Sequence, residues 1–147
     1  MHRCELRKLA ASFAIPPTWD ETVTALTDLI IPTTDTPGAK AAHVNRYIDL
    51  DLRDGDPQQA AGVIPGLSRL DADSIQQDGH PFVHLTPAQQ TALLQSMDAA
   101  TGPAHDFFQR VKFATAGIYD NTQIGYQELN KGGRVPATFG CNHQTHA

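Results

Sequence analysis

The sequence is poor in charge and nearly free of cysteine. Of its 147 residues, 18% are charged and two are cysteine, Cys4 near the start and Cys141 near the end. Because no C-x-x-C pair is present, neither a zinc knuckle nor a thioredoxin-type site is predicted. The two cysteines can pair with each other, pair with another chain or stay free, and a disulfide would suit an oxidising compartment. The low charge is typical of a surface that a partner covers.

Basic residues and long apolar runs are also scarce. Eleven Lys and Arg stand against sixteen Asp and Glu, and the single basic cluster is Arg3, Arg7 and Lys8. Nucleic-acid binding needs clustered positive charge, so no nucleic-acid partner is predicted. A membrane span needs about 20 apolar residues in a row, and no run approaches that, so no direct membrane insertion is predicted. Residues 1–17 are interpreted as a helical N-terminal segment rather than a signal peptide.

Catalytic and cofactor motifs are missing as well. The sequence has no G-x-S-x-G, no G-x-G-x-x-G and no G-x-x-x-x-G-K, so it offers no nucleophile elbow and no dinucleotide, flavin or phosphate fingerprint. No catalytic residue and no cofactor bound by this chain are predicted. His143 and His146 form an H-x-x-H pair, but a zinc site would need a third ligand from elsewhere, and no metal site is predicted.

What the sequence does contain is a series of helix starts. Ser, Thr, Asp or Asn caps the free N–H groups of a first turn, and proline is well tolerated at the next position. Such signals predict helices over 19–30, from 37 to a cap at Gly55, from 57 to Gly79 with a kink or break at Pro65, from 87 to about 102, and from 103 to about 121. Residues 122–130 are predicted to add one or two helical turns. The predicted caps are Thr18 (with Glu21), Thr36, Asp56, Thr86 (with Gln89) and Thr101.

Apolar residues recur at helical spacing behind each start. The predicted stripes include Tyr47 in the second helix and Ile75 in the third, and the fifth carries Phe107, Phe108, Val111, Thr115, Ile118 and Tyr119. No segment alternates apolar and polar residues long enough to predict a strand. The expected fold is all-α, a compact bundle of about five or six helices with an extended irregular C-terminal tail. A single domain, residues 1–147, is expected, with the tail at 131–147.

The order of several sequence blocks resembles the gluconate 2-dehydrogenase subunit 3 family. The resemblance runs from about residue 26 to residue 141. Two blocks are the most specific when taken together. The first is Ile-Pro followed by Asp-x-Pro-Gly-Ala, and the second is Pro-Phe followed by Leu-Thr-Pro-x-Gln-Gln. All the blocks, in order, are residues 29–44, residues 67–71 (Leu-Ser-Arg-Leu-Asp), residues 79–90 (Gly-His-Pro-Phe-Val-His-Leu-Thr-Pro-Ala-Gln-Gln), Phe107-Phe108 leading to Tyr119, and Gly140-Cys141.

The resemblance implies a non-catalytic accessory subunit. Members are small subunits of periplasmic, membrane-associated dehydrogenases whose large subunit carries FAD and oxidises a sugar, glycoside or sugar acid. A cytochrome subunit often accepts the electrons, so haem or an iron–sulfur cluster is expected elsewhere in the complex. The small subunit is thought to support folding, stability and export of its partner. No twin-arginine motif is visible in this sequence, so a periplasmic location is expected from the resemblance alone.

A partner surface is therefore expected on one face of the bundle and on the tail. The large flavoprotein is the expected partner, and a disulfide from Cys141 to it is one further expectation. Two alternatives stay open: a stand-alone helical adaptor, and a metal-binding protein that uses the tail histidines. The candidate contact residues are Trp19, Tyr119, Tyr126, Arg134, Phe139 and Cys141.

Overall fold

Every regular element of the described chain is helical. The computed structural model describes residues 14–129, with only the backbone described at Gln59, and no strand occurs in that range. This confirms the predicted all-α class. The helices are α1 (Pro17–Ile30), α2 (Val44–Asp54), α3 (Pro57–Ala60), α4 (Val63–Asp78), α5 (Pro87–Ala99), α6 (Pro103–Asn121) and α7 (Gln123–Leu129), with a short 3-10 turn at Phe82–His84.

Helix α6 is the centre of the bundle. It contacts α1, α2, α4, α5 and α7, and α1 also packs on α2. Its buried residues include the aromatic pair Phe107 and Phe108, one turn before Val111, so the predicted stripe faces the core. Burial of this stripe between several helices contributes to the apolar stabilisation of the fold. The largest fully buried side chains elsewhere are Phe82, Leu26, Leu67, Leu70 and Val44.

Two predicted caps and one predicted break are present. The Asp56 side chain accepts a hydrogen bond from the Gln58 N–H, and Thr86 forms a capping box with Gln89. Pro65 lies in the first turn of α4, where the missing N–H costs no helical bond, and the chain is divided just before it into α3 and α4. Gly79 ends α4 in the left-handed conformation, as predicted for a helix C-terminus.

Three predicted caps are wrong. Helix α1 begins at Pro17 and Thr18 makes no capping bond, because the proline already occupies the first helical position. Helix α6 is preceded by Gly102, not capped by Thr101. Helix α2 begins at Val44 rather than after Thr36, because residues 39–43 form a separate turn that ends in a left-handed His43, φ 54°. That conformation interrupts the helical path.

Candidate partner interface

The predicted contact residues fall into three groups. Trp19 is partly buried and packs against the core. Tyr119 is 8% exposed and its hydroxyl donates to the Pro37 carbonyl oxygen at 2.6 Å, so its side chain makes contacts within the fold. Tyr126, on α7, is 64% exposed. The other three residues, Arg134, Phe139 and Cys141, lie outside the described residues, as do the tail histidines.

The first motif block, residues 29–44, forms a closed turn. The Ala39 N–H donates to the Ile31 carbonyl oxygen at 2.8 Å, and the Gly38 N–H donates to Thr33 Oγ1 at 2.8 Å. A Cβ at position 38 would overlap the backbone of Ile31, so the close approach requires glycine there. Together with the Tyr119 bond, these contacts join the turn to α6. The block is structural, which accounts for its Pro-Gly-Ala sequence.

The second and third blocks meet at Phe82, whose side chain is fully buried. Its N–H donates to the Asp71 carboxylate at 3.0 Å, and its carbonyl oxygen accepts from Gln90 Nε2 at 2.9 Å. Both backbone groups of one buried residue are thus satisfied by side chains of α4 and α5. We name this arrangement, Asp71–Phe82–Gln90, the Phe82 clamp. Polar residues that form part of the motif therefore hold the fold together.

Among the described residues, no group of three or more His, Cys, Asp or Glu is placed to hold a metal ion. No buried side-chain nitrogen or oxygen of that part of the chain is left without a hydrogen-bond partner.

An open concavity lies between α2 and α6, with a volume of about 720 Å³. Apolar side chains stand exposed along it: Phe113 at 74%, Tyr47 at 50% and Leu50 at 41%. We call it the α2–α6 groove; its lining residues are Tyr47, Leu50, Asp51, Asp54, Gly55, Phe113, Ala114, Gly117, Ile118, Asn121, Thr122 and Gln123. Exposed aromatic residues in a concavity are typical of protein–protein contact sites.

The sequence did not identify this groove. Helical spacing predicts Tyr47 in the core stripe of α2, but its side chain is half exposed, and Ile75 of the predicted α4 stripe is 52% exposed. Phe113 lies off the α6 stripe, two positions after the buried Val111, and this large aromatic residue at a surface position was the available signal. Tyr47 and Ile75 are exposed for the same reason. The neighbouring helices cover only part of the apolar face of α2 and of α4.

The charged rim of the groove is acidic. Asp51 and Asp54 lie on the α2 side, and none of the described lining residues is Lys or Arg. Arg53, just outside the lining, donates to both carboxylate oxygens of Asp54 at 2.9 and 2.8 Å. The hydrogen bond from Arg53 lowers the pKa of Asp54. The groove therefore combines aromatic and aliphatic contacts with a carboxylate edge.

No helix of the described part of the chain combines the length and apolarity that a membrane crossing needs. Comparison with curated proteins and with solved structures finds no significant match. The family model for gluconate 2-dehydrogenase subunit 3 matches residues 19–133, which spans all seven helices except the first two residues of α1. The matched region includes the closed turn, the Phe82 clamp and the α2–α6 groove. The chain therefore belongs to the gluconate 2-dehydrogenase subunit 3 family.

Proposed function

We propose that this protein is the non-catalytic small subunit of an FAD-dependent dehydrogenase of the glucose-methanol-choline type, acting on a sugar, glycoside or sugar acid. The observation that supports this proposal is the exposed apolar α2–α6 groove on a chain whose family name describes a dehydrogenase subunit. The large flavoprotein binds there. The complex works in the periplasm, and a cytochrome subunit takes its electrons.

The small subunit acts by mass action on the folding of its partner. A protein that binds only the folded form of the large subunit stabilises that form by about 2.7 kcal/mol when its free concentration is a hundredfold above the dissociation constant. This stabilisation favours maturation and export of the large subunit as a folded complex. The groove supplies the apolar centre of the interface, where aromatic anchors carry most of the binding energy.

Co-purification tests the proposal. This chain is tagged in its native host and isolated, and the visible absorption spectrum of the eluate is recorded. We expect a larger protein to co-purify and to show flavin absorption. A colourless chain that elutes alone under these conditions contradicts the proposal and favours a stand-alone adaptor. Equal yield, stability and activity of the large subunit made without this chain would contradict the accessory role.

A substitution tests the role of the groove. Phe113→Asp places a charge at the most exposed groove aromatic, and we expect the dissociation constant of the complex to rise about 30-fold or more, since anchor residues contribute about 2 kcal/mol or more. The measurement is titration of the purified large subunit by calorimetry or interferometry. Because the side chain is 74% exposed, thermal stability of the isolated chain should change little.

Ile75→Asp is the matched control. Ile75 is also an exposed apolar residue on a helix, but it does not line the groove. We expect this variant to bind the large subunit like the wild type. If both variants bind equally well, the groove is not the contact surface. If both bind equally poorly, added charge rather than location explains the loss.

A further inference from the structure

Gly117 has no structural reason to be glycine within the described chain. It lies inside α6, four positions before the last residue of the helix, where glycine is less favourable to the helix than alanine. Apart from its two chain neighbours and the adjacent backbone of α6, a Cβ built at position 117 meets no atom of the described chain within 4 Å. Alanine would therefore fit the folded protein, and helix propensity alone would favour it.

Other helical glycines of this chain do have an internal reason. A Cβ at Gly66 in α4 would overlap the Phe107 ring, and a Cβ at Gly125 in α7 would overlap the Tyr119 carbonyl group. In both helices glycine allows a close approach by another part of the chain. By the same reasoning Gly117 allows a close approach to α6, but no described part of this chain occupies the space next to it.

That space is the α2–α6 groove. Gly117 lines it together with Ala114, one turn earlier, so α6 has only small side chains at these two lining positions. Two exposed aromatic residues line the same groove: Phe113, one turn before Gly117 on α6, and Tyr47 on α2. A surface with small residues next to exposed aromatic residues suits a helix, because helices pack most closely where small residues let their backbones approach. The exposed aromatics point to a ligand independently of the small residues.

We infer that a helix of the large dehydrogenase subunit lies in the α2–α6 groove and crosses α6 at Gly117. This inference rests on the proposed function. The helix carries a small residue at the crossing point, apolar residues against Phe113 and Tyr47, and Lys or Arg beside the Asp51 edge. Charge complementarity selects the basic flank, since Asp51 lines the groove and no described lining residue is Lys or Arg, whereas the Asp54 carboxylate is already paired with Arg53. The contact is of the helix-in-groove type.

Gly117→Ala tests the inference because its two expected effects have opposite signs. In the isolated full chain, alanine should raise the melting temperature by about 2–4 °C, since the helix gains propensity and no contact is lost. In titrations with the purified large subunit, the same methyl group should raise the dissociation constant about tenfold, since it holds the partner helix away. Gly117→Leu should weaken binding further while the isolated chain stays folded.

Ala116→Leu is the control, since Ala116 is exposed on the same helix and does not line the groove. It should leave the dissociation constant unchanged. If Gly117→Ala binds like the wild type while Phe113→Asp binds weakly, the partner uses the groove without a close helix crossing, and the inference fails although the proposed function stands. If the wild type itself does not bind the large subunit, the proposed function fails and the inference with it.

Two other occupants of the groove give distinct results. If Gly117→Ala lowers the melting temperature of the isolated chain, a segment of this chain fills the groove. If sedimentation shows a wild-type dimer that Gly117→Ala dissociates, a second copy fills it. Either result overturns the inference.

Discussion

Thr86 and Thr18 stand in similar sequence contexts and have different roles. Each is followed three positions later by Gln or Glu, the pattern of a capping box. Thr86 Oγ1 accepts from the Gln89 N–H at 3.3 Å, and the Thr86 N–H donates to Gln89 Oε1 at 3.0 Å. Thr18 makes no such bond because Pro17, directly before it, takes the first position of α1. The position of the nearest proline decides which threonine is a cap.

Thr86→Ala should lower the free energy of unfolding by about 1 kcal/mol, because the first turn of α5 loses its side-chain acceptor. Thr18→Ala, at an exposed position inside the first turn of α1, should change it by less than about 0.5 kcal/mol. Urea unfolding of both variants, followed by circular dichroism, measures the difference. Equal losses would mean that the capping box at Thr86 contributes nothing specific.

At the scale of elements, the Phe82 clamp joins α4 to α5. Within the 3-10 turn the Leu85 N–H donates to the Phe82 carbonyl oxygen at 3.2 Å. Asp71 accepts from the Phe82 N–H, and Gln90 adds a second donor to the Phe82 carbonyl oxygen. Gln89 Nε2 adds a bond to Asp78 at 3.1 Å, next to the end of α4. The angle between the two helices is therefore held by polar contacts as well as by the buried Phe82 ring.

Asp71→Ala should lower the free energy of unfolding by about 1–3 kcal/mol, because the partly buried Phe82 N–H loses its acceptor. The control is Asp73→Ala on the same helix. Its carboxylate lies 3.8 Å from Arg69, an ion pair near the surface. Loss of such a pair should cost no more than about 1 kcal/mol. Chemical denaturation compares the two, and a cost for Asp73→Ala equal to that of Asp71→Ala would contradict the clamp.

At the scale of the whole molecule, one helix separates the core from the candidate interface. Phe108 and Phe113 are five positions apart on α6, yet Phe108 is 7% exposed and Phe113 is 74% exposed. The same element thus fixes the bundle with one face and presents the α2–α6 groove with another. A partner bound in the groove contacts the helix on which the rest of the fold is packed.

Phe108→Ala should lower the free energy of unfolding by about 3–5 kcal/mol, because a buried phenyl ring is replaced by a cavity. Phe113→Ala, the matched change on the exposed side, should change the stability of the isolated chain by less than about 0.5 kcal/mol. Thermal and urea unfolding report both values. A large loss for Phe113→Ala would show that this ring is covered within the chain, which contradicts the groove as an open surface.

The sequence by itself determined the helical class and several helix ends. Asp56, Thr86, Pro65 and Gly79 act through bonds and steric contacts within one or two turns of the chain, so local pattern was enough to predict their roles. The motif blocks also gave the family without any structure, because the order of such blocks along the chain is a property of the sequence.

Only the tertiary structure decided the start of α2, the clamp and the groove. The closed turn before α2 depends on contacts between residues far apart in sequence, such as Tyr119 with Pro37. Helical spacing identifies the apolar face of a helix but not how much of that face its neighbours cover. Tyr47 and Phe113 are exposed along an open concavity that residues of α2 and α6 line together. Exposure depends on packing between elements, which no local pattern encodes.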